Sequence, residues 1–111
     1  MPRMERNSER IELIGNASDT QNLMDLSAGG VCCLYSKKVE HGDFLVVKID
    51  DIAIRARVAY CQDRTDGYRV GLQFWNVPSD KQRQINELAD RFSRGVPVRC
   101  SVVPDAARPK E

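Results

Sequence analysis

Ile52-Ala53-Ile54-Arg55-Ala56-Arg57-Val58-Ala59, followed after the Asp66-Gly67 pair by Tyr68-Arg69-Val70-Gly71-Leu72-Gln73-Phe74, decides the fold. Successive side chains on a strand point to opposite faces, so a strict apolar/polar alternation describes a half-buried strand. Ile52, Ile54, Ala56 and Val58 go inward, and Arg55 and Arg57 go out. Asp-Gly between two such runs is a strong hairpin signal, and Tyr68, Val70, Leu72 and Phe74 repeat the inward set on the return.

The same reading extends upstream. Ile11 and Leu13 alternate with polar neighbours, Gly15-Asn16 marks a turn, and Gln21 to Asp25 reads as a short second strand. Val31 to Tyr35 follows a glycine pair as a third. Phe44 to Ile49 is apolar enough for a strand covered on both faces, and Asp50-Asp51 connects it tightly to Ile52. Six short strands with tight turns predict a small antiparallel barrel, because closure removes exposed edges. A helix follows: Ser79 with Gln82 reads as a capping box, Ile85, Leu88, Ala89 and Phe92 recur at helical spacing, and Gly95 is the stop. The organisation expected is a flexible arm over residues 1–9, a barrel with its helix over 10–95, and an edge strand with a disordered tail over 96–111. Pro97 is the reason for placing that strand at an edge.

With 111 residues the chain has room for one domain. Basic and acidic residues nearly cancel, 17 against 16, so no global field draws in long nucleic acid and any anion site must be local. No apolar run approaches the roughly 20 residues that cross a bilayer, and the charged N-terminus lacks a secretory h-region; no membrane insertion and a cytoplasmic location are expected. Cys32 and Cys33 are adjacent while Cys61 and Cys100 stand alone, which offers no metal or redox spacing; no metal and no cofactor are expected. An enzyme is not expected either. His41 is the only histidine, it sits in a polar loop, and Ser27 lacks a nucleophile-elbow setting.

Two patterns carry chemistry, Arg6-Asn7-Ser8-Glu9-Arg10 and Asp25-Leu26-Ser27-Ala28-Gly29-Gly30. An arginine fork bonds a phosphate or the guanine O6/N7 edge bidentately, and a carboxylate accepts from guanine N1 and N2. Paired glycines let a flat ligand approach the backbone. In order and separation these motifs, with the later Tyr68 to Phe74 strand and its helix, resemble the PilZ domain, a bacterial receptor for cyclic di-GMP. The resemblance covers roughly Met4 to Arg94. It implies that Arg6 and Arg10 grip phosphates and guanine edges, that Asp25 and Ser27 contact a guanine from the barrel surface, and that Gly30 with Gly29 keeps the floor flat.

Further candidates are Arg3, Asn7 and Tyr60, the last at a place resembling a strand position where some family members stack an aromatic on guanine. Strict alternation from Ile52 puts Tyr60 on the core face; only a bulge re-aims it. The function expected is a cyclic di-GMP receptor that orders its arm over the barrel on binding and signals to a partner protein. The alternative is a PilZ-like interaction adaptor that needs no nucleotide. A barrel for single-stranded nucleic acid requires aromatics interleaved with basic residues, whereas Phe44 and most other rings fall on core parity.

Overall fold

The computed structural model describes residues 10–104. Seven strands and one helix follow in the order β1 (Ile11–Gly15), β2 (Leu23–Leu26), β3 (Gly30–Tyr35), β4 (Phe44–Ile49), β5 (Ile52–Arg64), β6 (Gly67–Phe74), α1 (Ser79–Ser93) and β7 (Val98–Pro104). All neighbouring strands are antiparallel and run β1-β7-β4-β5-β6-β3-β2 across a nearly closed barrel. Antiparallel barrel and following helix are as expected from the sequence.

The strand number is seven rather than six, and the added strand is not an edge. β7 pairs β1 on one side and β4 on the other. Pro97 stands just before Val98, so it removes no donor from the ladder. Val98, Cys100 and Val102 are buried on the inner face, where alternate residues of the other strands join them. Each large aliphatic side chain so buried stabilises the fold by roughly 1.5–3 kcal/mol.

The remaining gap lies between β1 and β2. A single Gly15–Thr20 bridge pins the strands at one end. Beyond it the Asn22 side chain replaces the ladder: its Oδ1 accepts from Ile14 N–H (2.9 Å) and its Nδ2 donates to Glu12 O (2.7 Å). β2 approaches so closely that a Cβ on Gly15 would collide with the Leu23 carbonyl oxygen.

Two local expectations change. β4 alternates between half-buried Phe44 and Val46 and buried Leu45 and Val47, with Lys48 exposed, so it is covered on one face only. The capping box does not form. Pro78 takes the N-cap position without a side-chain bond, which leaves Gln82 free to reach the barrel. Ile85, Leu88 and Phe92 are buried, and α1 packs on β2 and β7. Gly95, at φ +89°, follows the helix end where its N–H donates to Phe92 O. No helix of the described residues is long and apolar enough to cross a membrane.

Candidate functional site

Two bulges shape the outer surface of the barrel. In β2 the register steps between Leu23, which faces Cys33, and Asp25, which faces Cys32. Uninterrupted alternation from buried Leu23 would turn Asp25 inward; the extra residue, Met24, returns its carboxylate to solvent. In β5 the register steps between Val58, opposite Leu72, and Tyr60, opposite Gly71. Ala59 is the additional residue there, and Tyr60 points outward with 36% of its surface exposed. Core parity for Tyr60 is therefore overturned by the bulge.

Cross-strand pairing then lines up Asp25, Cys32, Gly71 and Tyr60 in one row over β2, β3, β6 and β5. The Tyr60 ring lies over Gly71, where a Cβ would fall 2.8 Å from Tyr60 Cδ2 and nearer still to Cε2 and Cζ. Its Oη is 3.3 Å from Cys32 Sγ, and Arg69 Nε–H donates to the same sulfur at 3.5 Å. The bond to Cys32, followed by desolvation, holds the phenol above its ordinary value, so Tyr60 stays neutral. With strands about 4.8 Å apart, the phenol tip at Cys32 is one strand away from Asp25. A flat base resting on the ring would have its edge near that carboxylate.

The turn between β2 and β3 is held from three directions. Ser27 N–H donates to Gly30 O (2.9 Å), with Ser27 Oγ at 3.3 Å from the same oxygen. Phe74 N–H donates to Gly29 O (2.9 Å), and Gln82 Nε2 donates from α1 to Ala28 O (2.9 Å). Ser27 and Asp25 remain exposed on this clamped loop. Its two glycines differ. A Cβ on Gly30 would run into the Leu72 carbonyl oxygen, so glycine is required by the β3–β6 approach, whereas a Cβ on Gly29 would meet nothing within 4 Å. Gly29 is open ground on the surface.

Arg10 precedes β1 and is exposed, 4.0 Å from the equally exposed Glu12 carboxylate. Such a pair is worth little in water and yields readily to a better anion. β1 and β2 run antiparallel from the Gly15–Thr20 bridge, which carries Arg10 and Asp25 to the same end of the seam. Arg3, Arg6 and Asn7 lie outside the described residues. Among those described, no group of three His, Cys, Asp or Glu is placed to hold a metal.

Cys32, Arg69 and Gln82 join the site although none of them was assigned a part in it from the sequence. The available signal was Gly71, since a glycine inside an alternating strand marks a place where another group comes close. A family model described as PilZ domain matches residues 5–91. Neither the curated proteins nor the solved structures contain a match to the chain.

Proposed function

The chain belongs to the PilZ domain family, and on that footing we propose that it is a non-catalytic cytoplasmic receptor for cyclic di-GMP. The observation that supports this most directly is the row created by the two bulges. It brings a carboxylate and a neutral aromatic ring onto one outer surface, with Arg69 reaching the row at Cys32, beside a turn clamped at three carbonyls.

In this reading Asp25 accepts from guanine N1 and N2, Ser27 adds a hydroxyl, and the base stacks on Tyr60. Arg10 enters from the end of the seam, and Arg6 with Arg3 and Asn7 completes the phosphate grip from residues 1–9. The dianionic ligand thus orders those residues over the barrel, and the changed surface is what a partner protein reads. Because the turn is already fixed, the ordering entropy falls mainly on the leading segment.

Titration calorimetry with cyclic di-GMP and with GMP tests the assignment. Arg6→Ala, Arg10→Ala and Asp25→Ala should each weaken cyclic di-GMP binding by about tenfold or more, the 1–3 kcal/mol of a good bidentate contact, with unchanged melting. No heat from the unsubstituted protein at saturating cyclic di-GMP would reject the receptor and leave the nucleotide-independent adaptor. Slower proteolysis of residues 1–9 with ligand would show the ordering step; identical proteolysis would remove it.

A further inference from the structure

The row of Asp25, Cys32, Gly71 and Tyr60 has an arginine on each flank. Along β6, Gln73 and Arg69 stand on the same face as Gly71, one row to either side; Gln73 lies opposite Arg57, and Arg69 opposite Gln62. The two arginines are engaged differently. Arg57 Cζ lies 5.7 Å from the centroid of the Trp75 ring, which is no part of the row. Arg69 turns into the row instead. Its Nε–H donates to Cys32 Sγ at 3.5 Å, the same sulfur that lies 3.3 Å from Tyr60 Oη.

An arginine carries five N–H donors, and the bond to sulfur occupies only one of them, on a weak acceptor. The two terminal nitrogens are left as an end-on fork. Among the described residues no carboxylate pairs with Arg69, and its side chain is exposed. The bond to Cys32 also fixes where that fork stands, at the phenol end of Tyr60. Cys32 is the ladder partner of Asp25, so the guanidinium and the carboxylate approach the same end of the ring from neighbouring positions.

Given the receptor reading, on which this rests, we propose that Arg69 determines base specificity by reading O6 and N7 of the guanine stacked on Tyr60, while Asp25 holds N1 and N2. Around the rim of guanine the donors N2 and N1 come first and the acceptors O6 and N7 follow. A carboxylate with a guanidinium beside it matches that order, and an arginine fork fits the O6/N7 pair bidentately. Adenine breaks the match at both residues. Its N6 amino group turns a donor toward the Arg69 fork, and its N1 turns a lone pair toward the Asp25 carboxylate. Selection therefore comes from repulsion of the wrong base as well as attraction of the right one. The arginines of the leading segment are then left to the phosphates.

The test is calorimetry on the full chain with cyclic di-GMP, with its 7-deazaguanine analogue, in which C–H replaces N7, and with cyclic di-AMP. Arg69→Ala should weaken cyclic di-GMP binding about tenfold with unchanged melting, and Arg69→Lys, which keeps the charge but loses the fork, to a smaller extent. The unsubstituted protein should bind the deaza analogue more weakly than cyclic di-GMP and give no heat with cyclic di-AMP. Arg69→Ala should then cost the deaza analogue distinctly less than it costs cyclic di-GMP, because one of the two bonds is already missing. An equal loss for both ligands would make Arg69 a phosphate contact or a support for Tyr60, and would overturn the proposal. So would comparable affinity for cyclic di-AMP. Unweakened cyclic di-GMP binding by Arg69→Ala would overturn it and leave the receptor standing, whereas absence of binding to the unsubstituted protein would overturn both.

Discussion

Alanine at Gly71 should unseat Tyr60 while leaving the barrel standing. The new Cβ would project from β6 into the ring, 2.8 Å from Cδ2 and closer to two other ring atoms, nearer than real Cβ contacts come. The ring must move. It ends a side chain on the outer surface, so it can rotate away without disturbing the core. Alanine gains roughly 0.5–1 kcal/mol over glycine by restricting the unfolded chain, against lost ring contact of similar size, which leaves stability within about 1 kcal/mol of the starting value. Ligand binding has no such compensation. Base–aromatic stacking is worth about 1–3 kcal/mol, so cyclic di-GMP should bind roughly 5- to 150-fold more weakly. Calorimetry on Gly71→Ala, Tyr60→Ala and the double variant gives the decisive comparison, since a glycine acting only through the ring makes the double variant equal to Tyr60→Ala. Unweakened binding by Gly71→Ala, or full additivity of the two changes, would refute the reasoning.

The two glycines of the β2–β3 turn should behave oppositely in thermal denaturation. Gly30→Ala, forced against the Leu72 carbonyl, should lose about 1–3 kcal/mol, at roughly 4–8 °C for each, while Gly29→Ala should stay within about 0.5 kcal/mol. Asn22→Ala removes both bonds across the β1–β2 gap and should lower stability by about 1–3 kcal/mol, with faster hydrogen exchange at the Ile14 amide; unchanged exchange there would mean that the seam is held otherwise. Burial pushes the Cys33 and Cys100 thiols from 9.0 up to about 12. Above pH 9 the unfolded thiols ionise while the folded ones stay protonated, so denaturant midpoints should be steady below 9 and fall between 9 and 12. A Cys33→Ala, Cys100→Ala double variant should lose much of that fall, and an undiminished one would point to other groups.

How much of the fold was legible depends on what each residue had to reveal. Period-two alternation from Ile52 to Val58 and the return from Tyr68 to Phe74 are direct consequences of strand geometry, and both stand in the structure. β5 nevertheless runs on to Arg64, so the turn is Thr65-Asp66 and Gly67, at φ +139°, opens β6. Bulges were the hidden variable. One additional residue reverses the parity of everything after it without altering composition, so neither the outward turn of Tyr60 nor that of Asp25 follows from counting. The seventh strand was misplaced because Pro97 was weighed as though it lay within the ladder. Ser79 and Gln82 satisfied a capping pattern, yet Pro78 occupied the cap and the glutamine amide found Ala28 instead. Arg10 and Asp25 share one end of the β1–β2 seam, a proximity suggested by the motif pair and not by either half alone.

The place of β7 between β1 and β4 carries a consequence for assembly. Ile11 finds its partner Val102 only across nearly the whole described chain, a high contact order that slows folding relative to a helical domain of the same length. A nascent polypeptide that has not yet delivered Val98 to Pro104 presents two naked ladders at once, those of β1 and β4, to any neighbour able to add a strand. Chains trimmed ahead of Val98 should therefore emerge as aggregates rather than as smaller monomers, and a fusion placed upstream must leave the first strand idle until the last is made.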